Sequence, residues 1–350
     1  MKLRDLEEKL FIKNVLSKYA DTANEEKFDD CILIDLGKIT DFPNMPYLVY
    51  SIDHPSHIQK GLAEDEGFRF YGRWAAACTC GDVLAMGAKP QGFSLDLAAP
   101  LDTDVKTIEW ILEGVMETLS YYEATYEGGN FDVNNLETVC MAWGIAPRDR
   151  IIRRSGAKPG DLIIATGNLG TGWSGYLASS LGFYNTLSEN AKKEVSQYNI
   201  FPRAPYPAMQ EVFDLGIITS GMDLTDGIVE FFYTISERNG LGVEIDLNQQ
   251  IISSTKEEIA REIGVDPYAF SLDPGYDTPL THGWTIPPEH WDTVKEIFNK
   301  HNFDLNCYGR VTEGNTVTLN GEEVPRFWDD QFKKTNIVER WMEFVKICKF

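Results

Sequence analysis

Apolar and polar positions along the chain alternate between a two-residue period and a helical one, and the switches mark its elements. From Met1 to Ala20, Leu3, Leu6 and Leu10 recur at helical spacing among charges, which predicts an amphipathic helix and not a signal peptide. Cys31–Leu36 and Tyr47–Ile52 are rich in β-branched and aromatic residues around the turn Pro43–Pro46, the pattern of a hairpin. Small residues over Phe70–Met86 predict a buried helix that stops at Gly87, with Pro90 reinforcing the stop. A strand follows at Gln91–Ala98. Asp102–Tyr122 reads as a long amphipathic helix, with Asp102 and Asp104 at the positive end of its dipole. Val139–Ile145 is a further strand.

The stretch Pro147 to Asp161 breaks this rhythm. It is punctuated by Gly and Pro and carries Arg148, Arg150, Arg153, Arg154 and Lys158 in an otherwise acidic chain. It divides the protein into domains 1–147 and 148–350. Beyond it come a strand at Leu162–Thr166, a glycine turn at Gly167–Gly172 and helices at Ser174–Leu181 and Gly227–Asn239. A strand at Gly242–Asp246, a helix at Glu289–His301 and a strand-turn-strand over Arg310–Leu319 complete the pattern. Strands and helices mix without strict βαβ alternation, so the expected class is α+β in two domains.

Composition narrows the function. The 350 residues, 43% hydrophobic and 12% aromatic, suffice for two folded domains with full cores. A formal charge of −22 argues against nucleic acid or an anionic membrane as partner. It also makes a phosphorylated substrate awkward unless metal ions neutralise it locally. The six cysteines follow neither a disulfide framework nor a zinc pattern, and no apolar run approaches the roughly 20 residues of a bilayer span. The expected compartment is the cytoplasm.

The candidate chemistry lies in short acidic segments beside apolar or glycine-rich sequence. They are Asp29-Asp30, Asp53 after a strand, Asp82 within a small-residue helix, Gly128-Gly129-Asn130, and Asp223-Leu224-Thr225-Asp226-Gly227. Carboxylates at such strand ends and helix starts are placed to hold Mg²⁺, which takes oxygen ligands and keeps phosphate oxygens in its shell. Dispersed carboxylates of this kind point to an enzyme using ATP. Glycines at 128–129 and 167–172 would permit close backbone approach to phosphates, although no Walker A string occurs. Each segment has a structural alternative. Asp223 and Asp226 also read as helix-start acids, Asp82 as a buried acid bonded to backbone, Asp29-Asp30 as a solvated turn, and Arg153-Arg154 as surface charge balance. His54 and His57 flank Asp53, but imidazole suits zinc better than magnesium.

Ser155-Gly156-Ala157-Lys158-Pro159-Gly160-Asp161-Leu162-Ile163 with Thr166-Gly167-Asn168-Leu169-Gly170 resembles the inter-domain signature of the AIR synthase/thiamine-monophosphate kinase superfamily. Gly81-Asp82-Val83-Leu84-Ala85-Met86-Gly87-Ala88-Lys89-Pro90, the Asp223–Gly227 motif and Gly309-Arg310-Val311-Thr312-Glu313-Gly314 are similar to its other motifs, in family order. The thiamine-monophosphate kinase branch fits best. The resemblance implies a two-domain α+β fold: an N-terminal sheet domain that dimerises into a β-barrel, and a C-terminal α/β domain forming the other wall of the cleft. It implies transfer of the γ-phosphoryl of ATP to a small phosphate, with Asp30, Asp53, Asp82, Asp223 and Asp226 as Mg²⁺ ligands. Arg154 then contacts phosphate, while Tyr122, Gly128, Gly129, Asn130 and Thr225 lie near the nucleotide.

Departures from the family pattern cluster on the acceptor side. Asn130 replaces an aspartate, and Ile52 a threonine. The acceptor segment reads Pro274-Gly275-Tyr276-Asp277-Thr278-Pro279-Leu280, and the late aromatic region Phe327-Trp328-Asp329-Asp330. Asp277 and Trp328 are therefore the expected acceptor contacts, and the acceptor is expected to be a small heterocyclic phosphate. The competing expectations are an ATP-dependent ligase or cyclase, and a nucleotide-binding relative without turnover.

Overall fold

The computed structural model describes residues 7, 9–11, 29–40, 44–55, 63–200, 203–250, 252–275, 280–329, 336–348 and 350. The chain separates into two compact units that are not two contiguous stretches. One comprises Phe28–Ile152 with Ile200–Gly216; the other comprises Met1–Lys27, Arg153–Asn199 and Ile217–Phe350.

The first unit is built on a five-stranded sheet of order β1-β2-β5-β3-β4, formed by β1 (Ile32–Asp35), β2 (Tyr47–Asp53), β3 (Lys89–Ala99), β4 (Thr125–Val133) and β5 (Glu137–Ala146). All pairings are antiparallel except β3 with β4. Helices α1 (Glu64–Ala85) and α2 (Val105–Tyr122) cover one face. Asp104 caps α2, its side chain accepting from the Lys106 amide at 2.8 Å. Alternation along the strands buries Val49, Cys140, Ala142, Leu95 and Leu97 on the helix side. The other face carries Ile52 opposite Met141, and Val139 opposite Asp96, with Ile52, Val139 and Met141 exposed. Residues 203–216 belong here. The Ala204 amide donates to the Tyr122 hydroxyl at 2.8 Å, and the Tyr121 hydroxyl donates to the Ala204 carbonyl at 3.0 Å. Tyr206, at the start of the helix Tyr206–Leu215, packs edge-on against both rings.

The second unit holds a seven-stranded sheet of order β12-β11-β8-β10-β6-β9-β7. Its strands are β6 (Leu162–Thr166), β7 (Ser220–Asp223), β8 (Gly242–Ile245), β9 (His282–Ile286), β10 (Leu305–Thr312), β11 (Val317–Leu319) and β12 (Glu322–Glu323). Helices α3 (Thr171–Ser180), α4 (Ile228–Asn239), α5 (Ser254–Ile263) and α6 (Ile337–Ile347) contribute to its core. Trp341 of α6 lies edge-on to Trp173 of α3 and stacks on Phe270, its indole N–H donating to the Leu272 carbonyl at 3.2 Å. Strands β6 and β7 both run antiparallel to β9, which lies between them. Their carboxyl ends therefore share one rim.

The mixed sheets bear out the α+β expectation. Elsewhere the structure corrects the pattern reading. The segment around Gly128-Gly129, to which the pattern assigns no element, is the middle of β4, hidden from a periodicity reading by its two glycines. Between Phe93 and Leu95 the β3–β4 register shifts, and a Cβ on Gly129 would stand 1.7 Å from the Leu95 carbonyl oxygen. Gly129 thus serves a close approach between strands. Helix α1 starts six residues before Phe70, because the acidic first turn Glu64-Asp65-Glu66 suits a helix N-terminus. Pro90 lies inside β3, opposite Gly144. The short strands β7 and β9 escape a pattern reading, and so do α5 and α6, although Ser253 and Asn336 cap them and Ile337, Val338, Trp341, Phe344 and Val345 share one face of α6. Of the N-terminal helix, Lys9–Phe11 are helical; the rest of Met1 to Ala20 is outside the described residues except Glu7. No described helix is long and apolar enough to cross a membrane.

Candidate active site

In the second unit the rim of the sheet gathers several sequence motifs. Asp223 ends β7 and pairs in register with His282, the first residue of β9. The His282 amide in turn donates to the Thr166 hydroxyl, at the end of β6, at 2.9 Å. The turn after Thr166, the Asp223–Gly227 loop and the chain entering β9 are thus held side by side. Asp223 is 6% exposed, and its Oδ2 accepts from the Thr225 hydroxyl at 2.7 Å. Three residues on, Asp226 is half-buried, and its Oδ2 accepts from the Lys9 ammonium at 2.6 Å. Each carboxylate is oriented through Oδ2, while its Oδ1 accepts no hydrogen bond among the described residues.

The acceptor-side segment starts against this loop. Gly275 has φ +92°, and a Cβ there would stand 2.0 Å from the Thr225 carbonyl oxygen. Only glycine lets the two loops meet this closely. The Ile228 amide donates to the Asp273 carbonyl at 3.1 Å, tying the same loops together. Asp277, four residues after Asp273, is outside the described residues, as are His57 and Asp330. Arg154 flanks the start of β7, its carbonyl accepting from the Ser220 hydroxyl at 2.9 Å.

Farther along the chain, Trp328 is half-buried beneath the Arg326 guanidinium, 5.3 Å from its ring centre. Its buried indole N–H has no hydrogen-bond partner among the described residues. Arg340 donates to the Trp328 carbonyl at 2.6 Å and pairs with Asp329 at 3.4 Å. One face of the indole is therefore already taken by a cation.

The first unit holds its own carboxylates. Ser51 of β2 donates to Asp82 Oδ2 at 2.5 Å, joining the inner face of the sheet to α1. Asp53 stands two residues on along β2, its Oδ1 accepting from the His54 amide at 2.7 Å. The register Ile32 opposite Tyr50 puts the Asp29-Asp30 bend at the same end of β2. Burial pushes the Cys140 thiol, near Asp53, up to about 12, and raises Cys80 beside Asp82 as well. Both thiols stay protonated, leaving carboxylates as the charged groups there. Asn130 is elsewhere. It pairs with Asp96 in register and donates to its Oδ1 at 3.2 Å, on the face opposite Ser51. Tyr122 is fully buried, and its hydroxyl, raised by burial, holds Ala204.

Sequence reasoning missed Glu230 and its partners. Glu230 lies one helical turn after Asp226 in α4, with 3% side-chain exposure. Arg326 donates to both its oxygens, at 2.6 and 2.7 Å, and Lys9 lies 3.1 Å from Oε1. An acid within the apolar run Ile228–Phe232 was a readable signal. Lys9 offered none, since 217 residues separate it from Asp226.

The donors suit a hard cation. Among the described residues no three His, Cys, Asp or Glu side chains converge into a complete metal site. Paired carboxylates with one uncommitted oxygen each, and the remaining ligands left to phosphate and water, are the set that Mg²⁺ accepts. The Thr225 hydroxyl also supplies the outer bond that orients such a ligand.

Two family models match this chain: the N-terminal domain of AIR synthase related protein over residues 28–146, and its C-terminal domain over 158–322. The chain belongs to the AIR synthase-related family. Relatives named thiamine-monophosphate kinase include that of Methanospirillum hungatei, 30% identical over 73% of this chain and 78% of its own. That of Haemophilus influenzae is 29% identical over 73% and 74% respectively. A solved structure described as AaThiL complexed with AMPPCP and TMP superposes with a TM-score of 0.76, covering 94% of this chain and 98% of that one at 22% identity. At that identity the likeness establishes the two-domain fold.

Proposed function

We propose that the protein is an ATP- and Mg²⁺-dependent phosphotransferase that moves the γ-phosphoryl of ATP onto a small heterocyclic phosphate, with thiamine monophosphate the first acceptor to test. The observation that carries this reading is the pair Asp223 and Asp226, at the carboxyl end of β7 and in the loop after it, each held through Oδ2 while its Oδ1 accepts no hydrogen bond among the described residues. Family membership and relatives named as kinases support it. When bound, Mg²⁺ would neutralise charge on the transferred group. Asp223 and Asp226 would hold it in the second unit, and we assign Asp30, Asp53 and Asp82 of the first unit as Mg²⁺ ligands as well. Thr225 keeps Asp223 in its rotamer. We assign Arg154 to phosphate, Gly128, Gly129 and Asn130 to the nucleotide side, and Asp277 and Trp328 to the acceptor. The Trp328 N–H is a buried donor for an acceptor atom to meet. For Tyr122 we favour an indirect part, holding residues 203–216 in place. We assign residues 1–147 and 148–350 as the two domains along the sequence, with the segment around Lys9 grouping with the second unit and residues 203–216 with the first. Six free cysteines fit a reducing cytoplasm.

The test is transfer of labelled γ-phosphate from ATP to thiamine monophosphate in Mg²⁺. Asp223→Asn and Asp226→Asn should each lower kcat by at least about a hundredfold, the scale for losing transition-state charge stabilisation, with unchanged circular dichroism. Wild-type turnover in both variants would remove the assignment. A second reading, nucleotide binding without turnover, draws on the bond from Asn130 to Asp96 where the family has an acid. ATP-analogue binding with no transfer to any of a panel of heterocyclic phosphates would favour it.

A further inference from the structure

We propose that the Lys9 ammonium is a tethered counter-ion of Asp226, held by the chain where a divalent cation would draw on the same charge, and that Lys9 thereby sets the affinity for that cation. This deepens the metal-binding reading of Asp223 and Asp226 and rests on it.

The geometry separates the two acids that Lys9 touches. Glu230 is buried and already answered by Arg326, which donates to both its oxygens and also pairs with Glu237 at 2.8 Å. Asp226 is different. Its side chain is 41% exposed, and Lys9, at 2.6 Å, is its one ion-pair partner among the described residues. Arg326 is thus a fixed charge that belongs to the fold, whereas Lys9 is a charge on a flexible stem, reaching in from the other end of the sequence.

A cation coordinated at Asp226 Oδ1 would stand about 5 Å from the ammonium on Oδ2, given oxygen–metal distances of about 2.1 Å. At that separation a single and a double positive charge repel appreciably, more so beside the buried Glu230 than in bulk water. Both also draw on one carboxylate. Metal and ammonium therefore bind with negative coupling, and the coupling is reciprocal: metal occupancy must loosen the Lys9 contact as much as Lys9 weakens the metal. The N-terminal segment, helical at Lys9–Phe11, is the element that would report it.

The experiment uses the full chain and Mn²⁺ without nucleotide, measured by calorimetry or the loss of free-ion paramagnetic signal. Lys9→Met should bind Mn²⁺ about tenfold more tightly than wild type, equivalent to about 1.4 kcal/mol, and Lys9→Arg should return towards wild type. In the wild-type protein, saturating Mn²⁺ should increase hydrogen exchange around Lys9–Phe11, a readout that needs no variant. Unchanged or weaker binding by Lys9→Met, with exchange unaltered in wild type, overturns the inference. Asp226→Asn separates the two levels. If it loses Mn²⁺ affinity while Lys9→Met equals wild type, only the role of Lys9 fails. If Asp226→Asn binds Mn²⁺ as wild type does, the metal reading of Asp226 fails and takes this inference with it.

Discussion

Asp35 and Arg148 illustrate how one charged pair can tie sequence-distant segments. Arg148 donates to Asp35 Oδ1 and, through Nε, to the Met45 carbonyl at 2.7 Å, while its guanidinium lies over the Tyr47 ring. Burial alone would raise the Asp35 carboxyl, but the Arg148 bond and the Lys38 amide outweigh it and hold the group below the ordinary carboxylate value. The folded state therefore binds this proton less readily than the unfolded chain. The stabilisation is fully present above the unfolded value near 4 and is lost as pH falls through the lower folded value. Thermal melts of wild type should lose more stability from about pH 5 to about pH 3 than melts of Arg148→Met, which lacks the pair. Parallel pH curves would mean that the pair contributes nothing.

At the scale of elements, the turn between β6 and α3 depends on a lysine from α5. Lys256 is 1% exposed, and its ammonium donates to Asn168 Oδ1 at 2.8 Å and to the Leu169 carbonyl. Ser253 caps α5 and so fixes the turn of helix from which Lys256 projects. Replacing Lys256 by Met keeps most of the apolar stem but strands buried acceptors in the turn. Each such group costs roughly 1–3 kcal/mol when unpaired. Lys256→Met should therefore lower the unfolding free energy by roughly 2–4 kcal/mol in urea titration. A midpoint equal to wild type would show that the turn holds without it.

At the scale of the molecule, the sheet face of the first unit that carries Ile52 and Met141 calls for a partner. Ile52, Val139 and Met141 lie exposed on it, with the Trp143 indole pinned by Glu127 at 3.0 Å. We propose that a second copy of the chain covers it. An apolar sheet face left in water is an association site. Wild type should sediment as a dimer at micromolar concentration, and the double change Ile52→Asp with Met141→Asp should yield a folded monomer. A monomeric wild type would refute the dimer.

Much of this molecule is legible in its amino-acid sequence alone. The α+β class, the strands Tyr47–Ile52, Val139–Ile145 and Leu162–Thr166, and the family likeness all follow from local patterns: period, punctuation and short motifs. Those signals survive because adjacent residues must jointly suit one backbone conformation. Candidate acids are readable for the same reason, since an aspartate between a buried strand and a glycine is conspicuous. What packing alone decided is who meets whom. No local pattern links Lys9 to Asp226, Arg326 to Glu230, or Ser51 to Asp82, because such pairs are set by the tertiary fold across tens to hundreds of residues. Nor could periodicity place Gly128-Gly129 within a strand, when the reason for Gly129 is the carbonyl of Leu95 on its neighbour. The transfer of residues 203–216 to the first unit is of the same kind: it depends on two tyrosine hydroxyls that a linear reading cannot aim.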